Sequence, residues 1–296
     1  MFSREFGRRA FVAGCACAAV APWPLRAAEP VPERIVSLDY GLATTLLALG
    51  VTPVGVAGAV EWHKWVVEPE LPPEVVDVGL DREVNVELLA ALAPDLILAT
   101  PYVSHLAPLL ERIAPVEIYG IYTAERRPLA RSVAATRDIG ALIGRPDAAE
   151  AYLREADRFL ADCADRLSTL DVPPLALVNF MDARHARIYG DGSLYQGVLD
   201  RLGLENAWTG PANDWGFQTI GIEALATASP GLRLVSFEPI PPDVRPTLDH
   251  SPLWTQLPFV REGRVSTLPS TLMFGMVPAA LRFASLLTDH LVEVGT

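Results

Sequence analysis

Five aromatic side chains, Trp62, Trp65, Tyr102, Trp215 and Phe274, fall in segments that read as loops after strands. Aromatic walls with a few hydrogen-bond donors suit a bulky ligand of little net charge. The same rings would serve equally well as core packing. Arg82 could aim its fork of N–H groups at ligand oxygens, and Tyr102 could add a hydroxyl. Arg82 could also pair with Asp81 or Glu83 on a solvated turn. A carboxylate such as Asp81 in a cleft would repel an anionic ligand and favour a cationic one, or it would orient Arg82.

Patterns for catalysis and for metal binding are weak. Lys64 is the only lysine and no glycine precedes it, which excludes a Walker A loop. Neither H-E-x-x-H, G-x-S-x-G nor C-x-x-C occurs, so no enzyme and no cofactor is expected. His63, His105, His185, His250 and His290 are widely spaced. Two or three of them could meet as a site for bare zinc or manganese, and each alone reads as a surface or satisfied histidine.

The elements that must position these residues alternate strand and helix. Arg34–Leu38 is a short β-type run, followed by helical spacing over Ala43–Leu49 and a stop at Gly50. Further buried strands are expected at 53–57, 75–79 and 95–99, with a helix over 86–93 capped by Asn85. This alternation implies parallel sheet and βαβ units, whose ligands gather at the carboxyl ends of the strands. The stretch 85–98 has a counterpart at 221–234, in which Glu, Leu, Ala, Pro and Leu recur at equal offsets. Two copies suggest two lobes of similar construction. Glu87 and Glu223 match in the two copies near helix starts, where a carboxylate complements the positive helix end. Between the copies, Pro146 to Leu170 carries no internal Gly or Pro, so a long stiff helix is expected to tie one lobe to the other.

Residues 1–28 read as a twin-arginine export signal, with Arg8-Arg9-Ala10-Phe11-Val12 before an apolar run and small residues before Glu29. A lipid-attachment box at Val12-Ala13-Gly14-Cys15 is the alternative, and too few apolar residues separate Arg9 from Cys15 to support it. Removal takes away four arginines and one glutamate, moving the formal charge from −12 to −15. Such an acidic surface repels nucleic acid and anionic lipid. No later apolar stretch is long enough to span a membrane, and Cys163 is left without an intrachain partner. A monomer of about 268 residues, beginning near Ala28 or Glu29, is expected.

Across nearly all of the chain after the signal, the sequence resembles the periplasmic ferric hydroxamate (ferrichrome-type) siderophore-binding proteins. The resemblance is carried by Arg34-Ile35-Val36-Ser37-Leu38, Val76-Asp77-Val78-Gly79-Leu80, Asn85-Val86-Glu87-Leu88-Leu89, Asn206-Ala207-Trp208, Asn213-Asp214-Trp215-Gly216 and Pro252-Leu253-Trp254. It implies an α/β fold of two lobes with parallel-type sheets, 29–145 and 172–296, joined by one interdomain helix over 146–171. It also implies an Fe(III)-siderophore as ligand, delivery to an inner-membrane ABC permease, and a periplasmic location. Haem, corrinoid and bare-metal receptors of the same lobe plan remain as alternatives. Trp65, Arg82, Tyr102, Trp215 and Phe274 are the ligand contacts that the resemblance implies, and Glu87 and Glu223 the docking points. Where the family carries Arg after Val-Gly-Leu, this chain has Asp81 with Arg82 one place later; Tyr102 is likewise displaced by one place, and Leu272 replaces an aromatic residue.

Overall fold

The computed structural model describes residues 30–227 and 231–295; the segment read as an export signal, 1–28, lies outside them. The first lobe contributes β1 (Ile35–Ser37), β2 (Gly55–Val56), β3 (Val76–Asp77), a small hairpin of β4 (Gly79–Leu80) and β5 (Glu83–Val84), β6 (Leu96–Ala99) and β7 (Val116–Ile118). Five of these strands form a parallel sheet in the order β3-β2-β1-β6-β7. The central strands β1 and β6 are buried at every position, as strands of a parallel sheet are when helices cover both its faces.

The second lobe contributes β8 (Leu175–Phe180), β9 (His185–Tyr189), β10 (Phe217–Gly221), β11 (Arg233–Phe237) and β12 (Val265–Leu268), in the order β10-β9-β8-β11-β12. Strands β8, β11 and β12 run parallel, and β9 and β10 extend the sheet antiparallel. Only residues 181–184 connect β8 to β9, which is too short for a parallel crossover. In both lobes the first strand is central, and the strand that follows the repeated segment lies beside it. The two copies of the repeat thus occupy equivalent places. They differ locally: Asn85 caps the helix Val86–Ala91 by accepting from Leu88 N at 3.0 Å, whereas the second copy winds as a 3-10 turn, Ile222–Thr227.

The long helix runs from Pro146 to Leu167, about 33 Å at 1.5 Å per residue. Its buried residues Ala149, Leu153, Ala156, Leu160, Cys163 and Leu167 follow helical spacing along one stripe. The stripe serves three cores in turn. Ala149 packs into the first-lobe core with Ile35 and Ile139, Leu153 and Ala156 meet Val277, and Leu160, Cys163 and Leu167 belong to the second-lobe core with Phe283. At its first turn the helix presses so closely on Pro128–Leu142 that a Cβ on Gly140 would meet Ala149 Cβ at 2.5 Å. Truncating Leu160 to alanine should cost about 2–5 kcal/mol through the cavity left behind.

A second bridge was not foreseen. The segment 269–276 leaves β12 and leads into the C-terminal helix Val277–Val294, which packs on the long helix and on the first-lobe helix Tyr40–Ala48. Met276 enters the first-lobe core, where Thr45 Oγ1 lies 3.6 Å from its sulfur. Among the described residues no helix is long and apolar enough to cross a membrane.

Candidate functional site

The aromatic residues gather where the lobes meet. Tyr102 follows β6, and Arg82 sits at the turn of the β4–β5 hairpin with its guanidinium 4.5 Å over the Tyr102 ring. Tyr102 meets Trp215 of the other lobe edge-on at 6.1 Å between ring centroids. Trp215 in turn lies 5.4 Å from Phe274. Four of the five expected contacts therefore form one wall. Tyr102 and Trp215 remain 40 % and 37 % exposed, which for large rings leaves faces open to a ligand.

Trp215 owes its place to its turn. Asn213 Oδ1 accepts from the backbone N–H groups of Trp215 and Phe217, at 3.0 and 3.2 Å. Gly216 closes the turn by donating to Asn213 O at 2.9 Å, with φ of 74°. A side chain there would be strained by that φ, and its Cβ would fall 2.0 Å from Ser193 N. From the first lobe, Arg126 donates to the Asp191 carboxylate at 2.7 Å and to Asn213 O at 3.2 Å, fastening this turn across the lobes.

Trp65 stands apart from the ring cluster. Its indole N–H donates to Glu61 at 2.8 Å, Lys64 sits 4.6 Å over its ring, and its carbonyl accepts from Ser270 Oγ at 3.2 Å. Trp62 is buried in the first-lobe core against Tyr40, its N–H donating to Pro69 O. Beside Trp65 opens a cavity of about 750 Å³ lined by His63, Lys64, Glu238, Arg245 and Ser270 among others. Tyr102, Tyr122, Trp215 and Phe274 are not part of its lining.

Three members of the wall were not singled out in the sequence. Tyr122, just after β7, is its centre, with ring distances of 5.3 Å to Trp215 and 5.8 Å to Phe274. Its hydroxyl donates to Met273 O at 2.7 Å, and burial pushes its pKa far above the usual phenol value, so it stays protonated. Phe217 extends the wall, 6.1 Å from Phe274, and Arg187 of β9 lies 5.0 Å over the Phe217 ring. Tyr122 stands after its strand much as Tyr102 does after β6, and that position was the readable signal. Strand alternation was the signal for Arg187, which lies between the buried Ala186 and Ile188.

The first-lobe side is acidic. Asp39 caps the helix Tyr40–Ala48 by accepting from Leu42 N at 3.0 Å. Burial, with some repulsion from Asp81, pushes its pKa up to about 6. Asp81 itself bonds Arg82 through the backbone N–H at 2.8 Å, and no ion pair joins the two side chains. The carboxylates of Glu61, Asp77, Asp81 and Asp39 also raise the Tyr40 hydroxyl, after burial, to about 12. Glu87 and Glu223 are both exposed, each in the first turn of its segment. Among the described residues, no group of three His, Cys, Asp or Glu side chains converges.

Residues 35–272 match the family of periplasmic binding proteins. The chain belongs to that family. It is 33 % identical to the iron(3+)-hydroxamate-binding protein FhuD of Escherichia coli over 258 residues, 87 % of this chain and 86 % of that one. It is 26 % identical over 255 residues to the Fe(3+) dicitrate-binding periplasmic protein FecB of the same organism, covering 82 % and 78 %. Among solved structures, the siderophore-binding protein FhuD of Vibrio cholerae bound to Fe3+-Desferal superposes with a TM-score of 0.84 at 27 % identity, covering 89 % of this chain and 99 % of that one. The periplasmic binding protein fold thus accounts for both sheets and for the meeting of the lobes at the aromatic wall.

Proposed function

We propose that this periplasmic binding protein captures a ferric siderophore of the hydroxamate type between its lobes and delivers it to an inner-membrane ABC permease. The observation that carries the reading is the wall of Tyr102, Tyr122, Trp215 and Phe274, flanked by guanidinium groups, in a chain 33 % identical to an iron(3+)-hydroxamate-binding protein. A ferric trihydroxamate buries its metal inside an organic shell. Its receptor therefore needs rings against the shell and donors to the chelating oxygens, and no ligands to iron.

In this reading the protein acts by binding and releases its cargo unchanged, without a resident cofactor. Residues 1–28 direct export by the twin-arginine route, and the mature monomer works in the periplasm as lobes 29–145 and 172–296 around the linker 146–171. Micromolar affinity or better, about 8 kcal/mol, is expected.

Tryptophan emission of the purified protein, titrated with ferrioxamine B, ferrichrome, haemin, cobalamin and free zinc, tests the reading. Saturable quenching by the two ferric hydroxamates alone, with the chelates recovered intact, supports it. Tight binding of haemin, cobalamin or zinc with none of the hydroxamates overturns it.

A further inference from the structure

Arg187 is the second guanidinium of the wall, and like Arg82 it differs from three paired arginines near the lobe junction. Arg126 pairs with Asp191, Arg245 with Glu238 and Arg282 with Glu68. Among the described residues no carboxylate lies within ion-pair distance of Arg187, and its Nε–H is buried without an acceptor. Leaving such a donor unsatisfied is costly, and without a paired carboxylate the guanidinium charge is left for a ligand to neutralise.

Position and orientation agree. Arg187 pairs across β9 with Asn179 of β8 and Thr219 of β10, which puts the three on one sheet face. Tyr189 and Phe217 form the next pair on that face. The Tyr189 hydroxyl, a polar neighbour of Arg187, already donates to Asn179 Oδ1 at 2.9 Å. Beyond Arg187 the face stays open at Thr219 and Met181, the latter 47 % exposed. The Arg187 guanidinium carbon lies 5.0 Å from the Phe217 ring centroid, so the ring limits where the guanidinium can swing.

We infer that Arg187 is the second lobe's donor to the oxygen shell of the bound chelate. It works with Arg82 of the first lobe, so that two guanidinium groups, each beside an aromatic ring, donate to the iron-bound oxygens of a bulky chelate. The inference rests on the siderophore reading above and adds a contact from a strand interior. A fork of parallel N–H donors matches paired hydroxamate oxygens, and a lysine ammonium does not.

The experiment is quenching of the full protein by ferrioxamine B for wild type, Arg187→Gln and Arg187→Lys, with thermal melts of each. The expected result is at least tenfold weaker binding for Arg187→Gln and an intermediate loss for Arg187→Lys, with melting temperatures close to wild type. Affinity within twofold of wild type in Arg187→Gln overturns the assignment. If Arg187→Gln melts early, Arg187→Lys decides. A normal melt with weakened binding supports the donor role, and a normal melt with full affinity overturns it. Failure of the wild type to bind any ferric hydroxamate is a separate result, since it removes the siderophore reading and the inference with it.

Discussion

Arg126 Nε lies 2.7 Å from the Asp191 carboxylate, so a first-lobe loop is fastened to the turn region that carries Trp215. Arg126 holds a left-handed φ of 54° to do so, a conformation that costs free energy for a residue with a Cβ. Near the start of the 269–276 segment, Arg282 donates to Glu68 at 2.5 Å and to Ser270 O at 3.0 Å. Two ion pairs, Arg126 with Asp191 and Arg282 with Glu68, thus join the lobes.

Replacing Arg126 with alanine should leave the melting temperature within a few degrees, because a half-exposed ion pair is worth about 0–1 kcal/mol. The effect should appear instead in the turn. Amide exchange over 211–217 should speed up, and ferrioxamine B affinity should fall about three- to tenfold. Exchange rates identical to wild type would show that the turn does not depend on the latch.

How much of this was legible depends on range. Asn85 before an apolar helical run, and the unbroken β-type runs at 35–37 and 96–99, are local signals, and the structure realises them within a residue or two. The long helix was readable because nothing interrupts its stripe; it ends at Leu167, three residues short of the expected Leu170, with Ser168 as its cap. The cleft was half legible. Arg82, Tyr102, Trp215 and Phe274 come together, while Trp65 finds its partners in Glu61 and Lys64. Tyr122 after its strand and Arg187 within its strand carried local signals of position, but that they meet Trp215, Phe217 and Phe274 follows from sheet order and a segment crossing between lobes, which no local window contains.

Trp215→Ala and Gly216→Ala should separate binding from folding. Trp215 is 37 % exposed, so its loss should weaken ferrioxamine B binding by about 1–3 kcal/mol with little change in melting. Gly216 has φ of 74° and no room for a Cβ beside Ser193 N, so its alanine variant should melt clearly earlier and bind poorly as well. Equal melting temperatures for the two variants would contradict the account of the turn.

Stability should depend on pH through Asp39. Its folded pKa is about 6, against 3.8 for an ordinary aspartate, chiefly because of burial. A raised carboxyl pKa means that the folded state holds its proton more tightly than the unfolded chain. Ionised Asp39 therefore costs stability at neutral pH, and the cost shrinks as pH falls through 6 and vanishes below about 3.8. Asp39→Asn keeps a capping acceptor for Leu42 N. It should melt higher than wild type at pH 7.5, with the gap narrowing by pH 5. A gap that does not change with pH would show that Asp39 does not titrate in this range.

Asp81 should act on the charge of the ligand. It lies on the acidic first-lobe side, close enough to Asp39 and Tyr40 to influence both. Asp81→Asn should weaken cationic ferrioxamine B and strengthen an anionic ferric chelate, each about threefold, or roughly 0.6 kcal/mol, as expected for a screened charge several ångströms away. Neutral ferrichrome serves as the reference. Parallel changes for all three ligands would mean that Asp81 shapes the Arg82 turn and leaves the field of the cleft unaltered.

Glu87 and Glu223 give the last prediction. Each stands seven residues before the proline of its repeat copy, Pro94 and Pro230, and each copy leads to the strand beside the central one of its sheet. Both carboxylates are exposed, in the first turn of their segments. Two separated carboxylates fix both the position and the rotation of a protein on a membrane permease, which one cannot do. Complementation of the helix end explains a carboxylate at Glu87, while the 3-10 turn at Glu223 offers a weaker dipole; we propose docking on the permease as the reason for the matching placement. Exposed pairs contribute more to orientation and association rate than to stability. The double variant Glu87→Ala, Glu223→Ala should keep siderophore affinity within about twofold, roughly 0.4 kcal/mol, while siderophore-dependent iron uptake by cells falls sharply. Each single variant should fall part of the way. Were affinity lost along with uptake, the two residues would belong to the cleft or the fold; were uptake unaffected, the permease would have to dock elsewhere.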